Sequence, residues 1–208
     1  MNKYMLGCAS LLLCNASVVA HQVDYNYIEL GHKTFDFTDD SSGFSFAAVG
    51  RNDSIYWEAQ VDRTKDESGY HVEGEFNESA QTIKHLRLGV GQVVDLSNRS
   101  AVDFGIQLGR YTFEHSLKYK NAFRSVSNVW HDHADIYGAR VQYQRVFAEK
   151  WEAKLGIGFE HISGEGADDN AFFLAGLGYR FNSNLASNLV YRDAGDYTST
   201  TLSLRFAF

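Results

Sequence analysis

The 208-residue chain has no proline, and its two cysteines, Cys8 and Cys14, both lie close to its start. Without proline, nothing in the covalent structure interrupts a strand ladder from within. Past Ala20 no stretch stays apolar for the roughly 20 residues that a membrane-spanning helix needs. If this chain crosses a bilayer, only a closed β-barrel can carry it. Basic residues are also scarce: 19 Lys and Arg face 26 Asp and Glu, a formal charge of −7. That balance argues against nucleic acid as a partner, which calls for a basic surface.

What the chain has is a leader and then an alternation. Met1 to Ala20 carries Lys3, an apolar run from Met5 through Leu13, and the small-residue site Val18-Val19-Ala20, the pattern of a cleavable secretory signal peptide. The apolar run is too short to span a membrane. Leu13, before Cys14, is too large for a lipoprotein site. Cleavage after Ala20 leaves residues 21–208 as one domain. It also removes both cysteines, so the exported protein has neither disulfide nor thiol chemistry.

Aromatic residues make up 14% of the chain, and many fall at strand period. The last stretch, Thr201 to Phe208, places Leu202, Leu204, Phe206 and Phe208 on one face and Thr201, Ser203, Arg205 and Ala207 on the other. The same alternation runs through Ile55-Trp57-Ala59-Val61, Leu86-Leu88-Val90, Val102-Phe104-Ile106-Leu108, Tyr137-Ala139-Val141-Tyr143, Trp151 to Phe159 and Phe173 to Phe181. Short polar turns are expected at Asn52-Asp53, Leu96 to Arg99, Ala148 to Lys150 and Asn182 to Asn184. Long polar loops are expected at Thr34–Ser42, Lys65–Ala80 and Thr112–Ala134, with shorter ones at Gly164–Asn170 and Asp193–Tyr197. Between these, ten strands can be read, beginning with Val23 to Lys33. The expected fold is all-β: an antiparallel, up-and-down transmembrane barrel of ten strands, with eight as the alternative.

The leader, the opening Tyr25-Asn26-Tyr27-Ile28-Glu29-Leu30-Gly31, the strand centres Gly156-Ile157-Gly158 and Gly176-Leu177-Gly178, and the aromatic terminus together resemble the small outer-membrane β-barrel superfamily, whose members include the OmpA transmembrane domain, OmpX and OmpW. The resemblance covers the whole mature chain and implies location in a Gram-negative outer membrane. It also implies that Leu204, Phe206 and Phe208 form the signal read by the barrel-assembly machinery, and that lipid and lipopolysaccharide are neighbours. It says little of activity, because the superfamily includes anchors, adhesins, narrow channels and a few lipid-modifying enzymes.

If the apolar faces meet lipid, the opposite faces turn Glu29, Glu58, Asp103, Glu152 and Glu160 into the lumen together with Arg87, Arg140, Lys154, Arg180 and Arg205. Unpaired charges would be costly in so narrow a space, so these residues are expected to pair into a network, with inward glycines making room for the long side chains. A wide aqueous pore belongs to barrels of roughly 16 to 18 strands and is not expected.

Four patterns suggest chemistry. Trp130-His131-Asp132-His133-Ala134-Asp135, with His115 nearby, has the composition of a transition-metal site centred on His131 and His133. Asp39-Asp40 and Asp168-Asp169 are acidic pairs suited to divalent cations bridging lipopolysaccharide phosphates. His161-Ile162-Ser163 resembles the His-x-Ser element of lipid A deacylase barrels, with Gly164 where that family has asparagine. His21, exposed by cleavage, resembles the first residue of copper-dependent polysaccharide oxygenases. The ordinary alternative for each is solvated surface. The sequence therefore points to a non-enzymatic barrel without cofactor, its role structural or interactive; a narrow channel is the second reading and a lipid A hydrolase the third.

Overall fold

A computed structural model describes residues 23–36, 40–72, 75–120, 123–164 and 168–208. The segment read as a signal peptide lies outside them, as do His21 and Asp39. Ten strands follow one another: β1 (Tyr27–Asp36), β2 (Asp40–Asn52), β3 (Ile55–Val72), β4 (Glu75–Ser97), β5 (Ser100–Lys120), β6 (Ser125–Phe147), β7 (Trp151–Ile162), β8 (Asp168–Arg180), β9 (Leu185–Asp193) and β10 (Thr198–Ala207). Each pairs antiparallel with its sequence neighbours, and β1 pairs with β10 to close the barrel. Across that seam Glu29 lies directly opposite Arg205, and Leu30 opposite Leu204.

The short turns fall where the polar, turn-favouring residues do. Asp53 sits at φ 51° and Glu149 at φ 64°, in the left-handed conformation that tight hairpins use; Ala148, at φ 47°, adopts it without the polar side chain that eases it for aspartate. The first described residues, from Val23, and the end at Phe208, which donates to the Asn26 carbonyl at 3.1 Å, lie on this turn side, the periplasmic side of barrels with even strand number.

Several expected loops are largely strand among the described residues. Thr34–Ser42 is shared between β1 and β2, which pair as far as Asp36↔Asp40, and Asp168–Asn170 open β8. Lys65–Ala80 and Thr112–Ala134 continue β3, β4, β5 and β6, which pair through Val72↔Glu75 and Lys120↔Ser125. The alternation fades in these stretches because, past the bilayer, neither face meets lipid, so polar residues are admitted on both sides. The backbone ladder continues regardless, since its hydrogen bonds do not depend on side-chain polarity. The first strand also begins later than expected, at Tyr27. Val23 to Asn26 instead forms an arm in which Val23 and Tyr25 are buried.

Candidate functional site

The outer surface is built from the alternating positions. Leu30, Phe46, Trp57, Leu88, Ile106, Leu155, Leu177, Leu189 and Leu202 all point outward, and Ile157 is 66% exposed. A continuous apolar belt of this kind around a closed sheet would aggregate in water, but it matches hydrocarbon. Aromatic contacts flank it on both rims, with Trp151–Tyr179 at 5.1 Å near the turns and Phe173–Tyr191 at 5.8 Å near the opposite end. The protein is a transmembrane β-barrel.

The inward positions make three charged groups. Nearest the turns, Arg205 donates to Glu29 at 2.8 Å and to Glu152 at 2.7 Å, and Arg180 also bonds Glu152. In the second group, Arg140 donates to Glu58 at 2.8 Å and stands 3.6 Å from Asp103. Asp103, with no exposed surface, accepts from Tyr25 at 3.0 Å, Tyr56 at 3.2 Å and Gln142 at 3.0 Å. In the third, Glu160 takes Arg192 at 2.7 Å and the Tyr197 hydroxyl, leaving Arg87 at 3.8 Å. Beside it, Asp62 accepts from Lys33 at 2.5 Å, Ser45 at 2.6 Å and Gln60 at 3.0 Å, and lies 3.0 Å from His85 Nδ1.

Nine of the ten residues expected in the lumen thus stand within 4 Å of an opposite charge. Lys154 has no hydrogen-bond or ion-pair partner among the described residues. Lys33, Asp62, His85 and Arg192 were not singled out from the sequence. The parity that selected Glu29 and Glu58 also selects Lys33 and Asp62, four residues further along the same strands.

The lumen also holds apolar clusters that a polar-inside expectation misses. Near the turns, Val23 and Tyr25 of the arm pack with Tyr27, Val49, Tyr56, Val93, Ala101 and Val146. Toward the outer end, Phe35, Ile83, Tyr111, Ile136, Phe172, Leu174, Ala194 and Tyr197 form a second cluster, and Arg192 stacks over Phe172 at 4.0 Å. Glycine permits the approach of the large rings: a methyl on Gly105 would collide with the Tyr56 hydroxyl. A cavity of about 130 Å³, lined by residues that include Glu29, Glu58, Arg87, Arg140 and Lys154, contacts both clusters.

The remaining candidates sit outside the barrel wall or on its outer end. His131 and His133 lie on β6 and share its outward face, whereas Asp132 and Trp130 alternate to the other, where Trp130 stacks on His115 at 5.6 Å. Strand period divides the candidate ligands, and no group of three metal-binding side chains occurs among the described residues. His161 Nδ1 is 2.8 Å from Asp169, while Ser163 donates to the Asp135 carbonyl at 3.3 Å, so the two do not form a nucleophile–base pair. Asp168 bonds Asp196 of the β9–β10 loop, which holds the Asp168 carboxyl below and the Asp196 carboxyl above the ordinary range. Leu204 and Phe206 face outward on β10, and Phe208 is 78% exposed at its end.

No family model matches the chain, and no curated protein is significantly similar. Solved structures of similar shape include a KdgM porin (12% identity over 88% of this chain and 99% of that one, TM-score 0.45). Others are the attachment protein Ail of Yersinia pestis bound to the heparin analogue sucrose octasulfate (13%, 86% and 97%, TM-score 0.39) and the translocator domain of the autotransporter NalP from Neisseria meningitidis (9%, 88% and 87%, TM-score 0.47).

Proposed function

We propose that this protein is a surface-interaction protein: a barrel with an occluded lumen anchors an outer sheet that meets external partners. The observation that carries this reading is the contrast between inside and outside. Inside, two apolar clusters and three charged groups occupy the bore of a ten-stranded barrel. Outside, β3 to β6 continue well past the apolar belt. The last outward apolar residue of the belt on β5 is Leu108, and the strand runs on to Lys120. At about 3.3 Å per residue this adds roughly 40 Å along the strand.

That projecting sheet has two unpaired edges among the described residues. β7 pairs with β6 only from Ile136, and β2 pairs with β3 only as far as Lys65. Ser125 to Ala134 therefore presents free backbone donors and acceptors with neither proline nor lysine to blunt it. Such an edge accepts an extended segment of a partner. Lipopolysaccharide is the neighbour of the outward charged positions at its base, where Lys84 pairs with Glu114 and Arg110 with Asp135.

Two measurements test this. In a planar bilayer the unmodified barrel should show little or no steady conductance, and a large steady conductance would promote the narrow-channel reading. Replacing residues 66–80 and 112–134 with tight turns should leave a folded barrel that no longer binds cells or matrix components bound by the parent. Binding that survives this trimming would refute the reading. We also read Leu204, Phe206 and Phe208 as the segment engaged by the assembly machinery. Deleting Phe208 should then lower outer-membrane levels while export continues, and normal levels would remove that role.

A further inference from the structure

Charge on the strands is not evenly matched along the bore, and Asp24 of the arm, which makes up the difference in number, lies at the periplasmic end beside Arg180 and Arg205. Between the two mouths the strands turn seven cations inward, counting Lys33 and Arg192 with the five bases already expected, against six carboxylates, counting Asp62 with the five acids. The Arg51–Asp95 pair at the turn side is self-contained, with Arg51 donating at 2.6 and 2.9 Å. The carboxylates are largely committed. Glu29 accepts from Arg205 and Asn188, Glu58 from Arg140 and Gln107, and Glu160 from Arg192 and Tyr197.

Two cations are left under-compensated, and both line the same cavity of about 130 Å³. Lys154 has no partner among the described residues. Arg87 has only the 3.8 Å approach to Glu160, and its Nε is buried without an acceptor. Arg140, on the same wall, likewise has a buried Nε without an acceptor. The remaining carboxylate near the periplasmic mouth, Asp24 of the arm, lies among Glu152, Arg180 and Arg205 and does not line this cavity.

Lys154 is half-buried, and an unpaired ammonium in a confined bore, beside the buried Nε atoms of Arg87 and Arg140 that lack acceptors, defines what would relieve the cost. At roughly 30 Å³ per water, the void holds about four water-sized bodies. That space is suited to a small ion with part of its hydration shell. We propose that the middle of the lumen is a binding site for a halide-sized monoanion, held between the Lys154 ammonium and the Arg87 guanidinium. The bound ion balances the local excess around the cavity, where Arg87, Arg140 and Lys154 face Glu29 and Glu58, and supplies the acceptor that both side chains lack. This rests on the occluded-lumen reading, because in an open bore the ion would be only one of many passing through.

The test uses the full mature chain refolded into detergent with bromide as the sole halide, followed by crystallisation and diffraction at the bromine absorption edge. The expected result is an anomalous peak inside the lumen within hydrogen-bonding reach of Lys154. It should be lost in Lys154→Met and weakened in Arg87→Gln, with heat-modifiable migration retained in both. No peak in the parent protein would overturn the proposal, as would an undiminished peak in Lys154→Met. If Lys154→Met fails to fold, the parent and Arg87→Gln decide by the same criteria. Repeating the refolding with phosphate added tests size: tetrahedral density replacing the bromide would overturn the halide assignment. Conductance measured on the same preparation separates the two failures. A non-conducting barrel without bromide sinks only the anion site, whereas a conducting one sinks the occluded lumen with it.

Discussion

Arg205→Met removes the side chain on which the barrel's closing seam most depends. Arg205 is 4% exposed, bonds Glu29 directly across the β1–β10 seam, and reaches Glu152 of β7 through a second nitrogen. Methionine keeps much of the volume and removes the charge, leaving two carboxylates short of a donor. Breaking a buried pair in this way costs about 3–5 kcal/mol when the survivor is stranded. Neither survivor is fully stranded here. Glu152 keeps Arg180, and Glu29 keeps Asn188 at 2.9 Å and borders the cavity. The expected loss is therefore reduced to about 2–3 kcal/mol. Urea unfolding in lipid vesicles, followed by tryptophan fluorescence and by the unboiled gel band, should show a lower midpoint at unchanged slope. Arg205→Met with Glu29→Gln removes the stranded charge and should recover about 1 kcal/mol or more of the loss. A single variant within about 0.5 kcal/mol of the parent, or a double variant as unstable as the sum of its parts, would refute the view that these pairs hold the seam.

Three smaller perturbations probe other parts. Gly105→Ala drives a methyl into the Tyr56 hydroxyl and should cost about 1–3 kcal/mol; combining it with Tyr56→Phe should return part of this, and a neutral single variant would show that the ring is free to move. Ala148→Gly relieves a left-handed alanine in the β6–β7 turn and should raise stability by up to about 1 kcal/mol, read from the urea midpoint. Asp196→Asn should be neutral or stabilising at pH 7. Asp168 holds the Asp196 carboxyl above its unfolded value, so the parent's penalty appears as pH rises through the folded value and vanishes in acid, where the two carboxyls share a proton. A deficit for Asp196→Asn that grows with pH would reverse this sign.

The barrel was legible because lipid imposes its contrast residue by residue. Ile55, Trp57, Ala59 and Val61 alternate with Tyr56, Glu58 and Gln60, and the spacing of such runs gives the ten strands and the identity of the inward charges. Where lipid stops, so does the signal: Thr112 to Ala134 reads as a polar loop although Thr112–Lys120 and Ser125–Ala134 are paired strand. The lumen was legible in charge but not in shape. Val49, Val93 and Val146 are apolar residues at inward parity, and only their convergence with Tyr25 and Tyr56 from distant strands makes a cluster of them. The lack of a partner for Lys154 was equally hidden, since it depends on which carboxylates Arg205 and Arg140 take first.

β9 and β10 are 9 and 10 residues long, whereas β4 and β6 each run to 23. The outer rim is therefore low on one side and high on the other. A barrel with a level rim looks the same from every bearing in the plane of the membrane, but this one has a front and a back. A body arriving over β9 and β10 meets the lipid surface first, whereas one arriving over β3 to β6 meets protein. Rotation about the membrane normal thus becomes part of every encounter, and a neighbour packed against the lipid-facing side chains of one wall would fix the direction in which the tall side faces.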